Sequence, residues 1–242
     1  FNPIPYFIGA ALLAMGFSLV EILKLGFVIT YILSGVFMLM FCRAYFKDTM
    51  TAFFVTIMYQ YAPFRLVEML TRGDLGGLYS YMVLPLVFYA VTLFLKKITF
   101  LSFSLLAVSI ALLPLGHNIN GFVFFVLAVL YVFFAEKKLK KIVGTFLTMG
   151  LGLLLVSFFI FPALLELKYL NGYIFSKDLF YQHFPPFYKL LIPNITNVEK
   201  LRVAEVSVQI GFFHILAFIA VIFLLIKNKL KGKMKLFALY LL

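Results

Sequence analysis

Tyr59-Gln60-Tyr61-Ala62-Pro63-Phe64-Arg65-Leu66-Val67-Glu68-Met69-Leu70-Thr71-Arg72-Gly73-Asp74-Leu75-Gly76-Gly77 is a polar stop between apolar runs long enough to cross a bilayer. Arg65, Glu68 and Arg72 stand three and then four residues apart, so a helix carries all three on one face. Phe64, Val67, Met69 and Leu70 are left to face lipid or protein, the pattern of a short helix lying in a membrane interface. Gly73, Gly76 and Gly77 then let the backbone turn into the next apolar run. The bland reading of the same residues is a self-paired interfacial helix that anchors a loop.

Hydrophobic residues make up 64% of the 242 residues, charged residues 12%, and the mean hydropathy is +1.10. No water-soluble fold of this length hides so much apolar surface, so the expectation is an all-α polytopic transmembrane helix bundle. The chain begins at Phe1 and stops inside a new apolar run that starts near Leu236. It therefore reads as one membrane domain over 1–242, a piece of a longer protein. A single cysteine, Cys42, leaves no internal disulfide and no cysteine-based metal cluster.

Apolar runs predict spans at about 4–20, 25–42, 49–63, 78–95, 98–115, 119–135, 142–165 and 209–226, with another starting at 236. That makes eight to nine spans, of which the third is short and the first is broken near Gly16. Alternate breaks carry Arg43 and Lys47; Lys96 and Lys97; Lys137, Lys138, Lys140 and Lys141; and the lysine run from Lys227 to Lys235, with only Asp48 and Glu136 beside them. The positive-inside rule makes this side cytoplasmic. On the other side, Lys24, Arg65, Arg72, Lys168, Lys177, Lys189, Lys200 and Arg202 are nearly balanced by Glu21, Glu68, Asp74, Glu166, Asp178, Glu199 and Glu205. The net charge of +12 is thus topological, and no nucleic-acid partner is expected. A multi-pass protein of the cell membrane, in contact with lipid, follows.

The outer loop 167–208 is too long for a simple connector. It carries Phe180-Tyr181-Gln182-His183-Phe184-Pro185-Pro186-Phe187-Tyr188, then a short interfacial helix predicted over Tyr188–Ile192 and ended by Pro193-Asn194. Tyr and Phe must form the interfacial aromatic belt, because the chain has no Trp. No internal repeat, heptad pattern, phosphate-binding glycine loop or Gly-x-Ser-x-Gly elbow is present.

Ionisable groups at membrane depth are candidates for function by default. His117 and Asn118 follow Pro114 at the outer end of the fifth span; the imidazole could donate to a phosphate or act as an acid/base, or could simply pair with a neighbouring carbonyl. His183 reads as a phosphate ligand or a loop-packing residue, and His214 as a structural hydrogen-bonder beside Phe212 and Phe213. Arg65 and Arg72 could hold a phosphate or diphosphate in bidentate fashion. Asp74 or Glu68 could serve as base or metal ligand, or could neutralise an arginine.

Tyr61-Ala62-Pro63-Phe64-Arg65-Leu66, Arg72-Gly73-Asp74-Leu75-Gly76-Gly77 and Pro85-Leu86 resemble a bacterial family of multi-spanning proteins. Its pattern runs "APYRL…RG-x-L-G/A-E…PL", and it carries the label 6-pyruvoyl-tetrahydropterin synthase-related membrane domain. Gly116-His117-Asn118, His183-Phe184 with Leu190-Leu191-Ile192-Pro193, and Val208-Gln209-Ile210-Gly211 extend the resemblance over roughly residues 25–225. The family in turn is similar to the GT-C superfamily of polyprenyl-phosphate-sugar glycosyltransferases. The resemblance implies sugar transfer from a polyprenyl-phosphate donor at the outer face, with Arg65, Arg72, His117, Asn118 and His183 binding the donor and Asp74 or Glu68 assisting catalysis. No cofactor follows with certainty; a divalent cation is left open. One departure is Gly77, where the family usually has glutamate. The acidic residue of the first outer loop in GT-C enzymes has no counterpart here unless Glu21 supplies it. Three clustered histidines for a soluble tetrahydropterin-type zinc enzyme are missing, so that activity is rejected. Two other readings stay open: a transporter or lipid-handling protein, and a catalytically degenerate scaffold.

Overall fold

The computed structural model describes residues 3–169, 186–192 and 208–229. Every regular element among them is helical: α1 (Pro3–Ala14), α2 (Leu19–Phe46), α3 (Thr49–Gln60), α4 (Pro63–Val67), a π-helical turn (Glu68–Arg72), α5 (Leu75–Lys96), α6 (Phe100–Gly116), α7 (Asn118–Ala135), α8 (Leu139–Leu155), α9 (Ser157–Leu165), a 3-10 turn (Glu166–Tyr169), α10 (Tyr188–Leu191) and α11 (Phe212–Ile226). The chain is an all-α membrane protein. α2, α5 and α7 are long and apolar enough to cross a membrane. α8 and α9 make a fourth candidate if counted as one broken span, bent by 71° at Val156. α1, α6 and α11 are apolar but shorter, at 12, 17 and 15 residues.

Two compact units partition the chain. The first joins Phe1–Gln60 to Gly73–Leu170, and the second joins Tyr61–Arg72 to Asn171–Leu242.

In the first unit α5 is the hub. Two thirds of its membrane-length stretch is buried, 67%, against 17% for α2, because α2, α6, α7 and α8 all pack around it. Val83, Val87, Ala90 and Val91 are fully buried on α5. Pro85 lies inside α5 and has no N–H for the carbonyl of Tyr81, four residues back. Tyr59 of α3 fills that vacancy: its hydroxyl donates to Tyr81 O at 2.5 Å. The neighbouring Gln60 is held to α2 by three bonds. Its Nε2 donates to Tyr31 O (2.7 Å), its Oε1 accepts from Ser34 Oγ (2.8 Å), and its carbonyl accepts from Tyr31 Oη (3.2 Å). A Cβ at Gly35 would lie 2.7 Å from Gln60 Nε2, so only glycine leaves room for the amide. Such bonds satisfy polar groups that lipid cannot.

The run from 4 to 20 is divided near Gly16, where the sequence places a break. Gly16 takes φ +94°, and Ser18 starts α2 with a capping box in which Ser18 and Glu21 each accept from the other's backbone N–H. The predicted 142–165 span is likewise divided at Val156, whose N–H closes α8 on Leu153 O and whose carbonyl opens α9.

In the second unit, Ile210 N–H donates to Leu190 O at 2.9 Å. Gly211, at φ +102°, lies so close to Pro63 that a Cβ would stand 2.7 Å from its Cδ. The predicted helix at Tyr188–Ile192 is present as the single turn α10. His183, most of the 167–208 loop and the apolar run from 236 lie outside the described residues.

Candidate active site

Asp74 and His117 meet in the first unit, with His117 Nε2 3.7 Å from Asp74 Oδ2. Forty-three positions of chain separate them, and three glycine seats bring them together. Gly116 has no Cβ where the Tyr79 ring lies; one would fall 2.1 Å from Tyr79 Cδ1. Gly121 lets the first turn of α7 rest on the carbonyl of Leu113, 2.6 Å from where a Cβ would be. A Cβ on Gly26 of α2 would stand 3.1 Å from the side chain of Leu75, beside Asp74. The α6–α7 connection is therefore a single residue, His117, in extended conformation.

Both side chains are oriented by the helices they cap. Asp74 Oδ1 accepts from Gly77 N–H at 2.9 Å, which leaves Oδ2 turned toward His117. His117 Nδ1 accepts from Asn120 N–H at 3.3 Å. A neutral ring with Nδ1 as acceptor carries its proton on Nε2, so it presents an N–H donor beside Asp74 Oδ2. Both side chains are partly exposed, at 23% each. The N-termini of α5 and α7 end on these two residues, and the positive ends of both helix dipoles converge there. Such a corner favours an anion or a developing negative charge.

Two apolar grooves of about 470 Å³ each lie in the first unit. One, between α1, α2 and the start of α5, is lined by Tyr6, Gly9, Leu13 and Ile22 and ends at Asp74. The other lies between α6, α7, α8 and α9, with Phe122, Phe125 and Phe159 in its walls and the exposed Asn118 at its edge.

Arg65, Glu68 and Arg72 belong to the second unit. Pro63 opens α4, where Arg65 is buried, and Glu68–Arg72 follows as a π-helical turn, a form frequent at functional sites. Glu68 is 2% exposed, and its Oε1 accepts from Arg72 Nη1 at 2.5 Å. The Arg72 side chain remains 46% exposed. Glu68 is thus engaged with an arginine, whereas Asp74 faces a histidine. His214 lies in the first turn of α11, beside Gly211.

Asp74 and His117 could supply two ligands to a divalent cation. Among the described residues no third His, Cys, Asp or Glu joins them, so these residues alone do not fit a metal centre. Tyr79, Gly116 and Gly121 were not evident from the sequence as builders of the corner. Their only sequence signal is the pair of glycines flanking His117 on either side of an elbow.

No curated protein and no solved structure matches the chain. The family model described as 6-pyruvoyl-tetrahydropterin synthase related domain, membrane protein, matches residues 1–242, and the chain belongs to that family.

Proposed function

We propose that this chain is the membrane part of a GT-C-like glycosyltransferase that moves a sugar from a polyprenyl-phosphate donor at the extracytoplasmic face. The observation that carries the reading is the Asp74–His117 pair at two converging helix N-termini, with an apolar groove leading away from Asp74. The groove suits an isoprenoid chain, and the corner suits its phosphate and the sugar beside it. Eight to nine spans with Asp74 and His117 on the outer side fit the alternation of lysine-rich breaks along the chain.

In this reading Asp74 Oδ2 takes the proton of the acceptor hydroxyl as the acceptor oxygen bonds to the sugar's anomeric carbon. The bond from that carbon to the phosphate oxygen breaks, and the lipid phosphate leaves with the electron pair. His117 Nε2–H donates to the departing phosphate, while Asn118 contacts sugar or phosphate. Arg65, Arg72 and His183 are the further donor-binding residues that the family resemblance implies. Glu68, engaged with Arg72, orients that arginine and leaves the base role to Asp74. The test is transfer from a polyprenyl-phosphate sugar in proteoliposomes holding the full-length protein. Arg72→Ala and His117→Ala should each abolish it; unchanged turnover in both removes the reading.

A further inference from the structure

The opposite end of the first unit is built by lysines. The ammonium of Lys96 donates to Ala44 O in the last turn of α2, that of Lys141 to Leu95 O in the last turn of α5, and that of Lys137 to Phe133 O in the last turn of α7. A cation on each of three helix C-termini is favoured by the dipoles. The Lys96 and Lys141 bonds, with the Lys141–Glu136 pair at 3.4 Å, gather the ends of α2, α5 and α7 and the start of α8 into one rim. α5 and α7 run from the Asp74–His117 corner to this rim. The 22 residues of α5 span about 33 Å, close to the thickness of a bilayer core.

The rim holds Arg43, Lys47, Lys96, Lys97, Lys137, Lys138, Lys140 and Lys141 against two carboxylates, Asp48 and Glu136. Both carboxylates are engaged. Asp48 accepts from Thr51 N–H, and Glu136 accepts from the N–H groups of Lys138 and Lys137 and pairs with Lys141 at 3.4 Å. Those backbone bonds hold the Glu136 carboxyl below its ordinary value. Among the described residues Arg43, Lys47, Lys97, Lys138 and Lys140 are exposed and make no ion pair. Large apolar side chains are interleaved with them: Phe100 is 87% exposed, Leu101 74% and Leu139 73%.

We infer that this rim binds anionic phospholipid headgroups, with Lys97, Lys138 and Lys140 on the phosphates and Phe100, Leu101 and Leu139 in the acyl boundary. Excess positive charge selects an anion. The interleaved apolar side chains select a lipid over a nucleic acid or an acidic protein, because only at a membrane surface do both parts of the pattern find their solvent.

The experiment is native mass spectrometry of the purified full chain in detergent, titrated with phosphatidylglycerol or phosphatidylcholine of identical chains. Phosphatidylglycerol should bind the tighter, and its advantage should shrink as salt rises. Lys138→Gln with Lys140→Gln should weaken phosphatidylglycerol about fivefold per lysine. Their phosphatidylcholine binding should be unchanged, which also reports that the variant is folded. Lys24→Gln, near the start of α2 and away from the rim, should change neither. Equal binding of the two lipids by the parent, a salt-independent preference, or full retention of the preference in the double variant overturns the inference. Displacement of phosphatidylglycerol by polyuridylate at equal charge does so too.

Discussion

Replacing Gly116 by alanine tests how the Asp74–His117 corner is built. The new Cβ would stand 2.1 Å from Tyr79 Cδ1, 2.7 Å from Cε1 and 3.3 Å from Cγ. Tyr79 is buried on α5, so its ring cannot swing into solvent, and α5 or α6 must shift instead. Overpacking of this kind costs about 1–3 kcal/mol. Against it stands the helix propensity of alanine, a gain of up to about 1 kcal/mol over glycine. A net loss of about 1–2 kcal/mol is expected for Gly116→Ala in thermal or denaturant unfolding of the detergent-solubilised protein. Tyr79→Ala removes the ring, so Gly116→Ala in that background should be neutral or stabilising, giving a coupling of about 1–3 kcal/mol. A second readout follows the geometry itself. In a chain carrying Cys42→Ala, Asp74→Cys and His117→Cys, a short bis-thiosulfonate should bridge the two thiols, and Gly116→Ala should lower the yield. Equal cost of Gly116→Ala in both backgrounds refutes the steric seat.

Two further substitutions probe the frame that holds the corner. Tyr59→Phe removes the hydroxyl that donates to the Tyr81 carbonyl in place of the missing Pro85 N–H, and should cost about 1–2 kcal/mol in unfolding experiments. Adding Pro85→Ala restores a backbone N–H and should recover most of that loss; no recovery contradicts the pairing. Gly152→Val would set a Cβ 2.5 Å from the carbonyl of Ala107 and 2.9 Å from Ile110 Cβ, with backbone as the obstacle, so unfolding should show a loss of about 3 kcal/mol, the upper end for overpacking. A loss below 1 kcal/mol would mean that α6 and α8 can part freely.

The helices themselves were largely legible in the sequence. Apolar runs between lysine-bearing breaks predict α2, α5 and α7 in order, since lipid leaves a backbone little choice but to satisfy itself. Ser18 and Glu21 at the start of α2 and Asp74 at the start of α5 follow capping chemistry that depends on neighbours alone. The number of membrane crossings was harder to read, because apolarity predicts helix without fixing where it breaks: the break near Gly16 was legible, whereas Val156 interrupts a run that looks continuous. Arg65, Glu68, Arg72, Asp74, His117 and Asn118 stood out as polar groups in an apolar chain. Their pairing did not. The Glu68–Arg72 bond is one of two outcomes that their spacing allowed, and the approach of His117 to Asp74 depends on Tyr79 resting on Gly116, a contact across 37 residues that no periodicity encodes.

The proposed chemistry makes Asp74 and His117 one functional unit, so their losses should not multiply. Turnover of a polyprenyl-phosphate sugar in proteoliposomes would be compared for the full-length parent, Asp74→Asn, His117→Gln and the double variant. Each single substitution should slow transfer by about 10²-fold or more, and the double variant should be no slower than the worse single. Losses that multiply, or turnover at the parent rate in either single variant, would contradict the account.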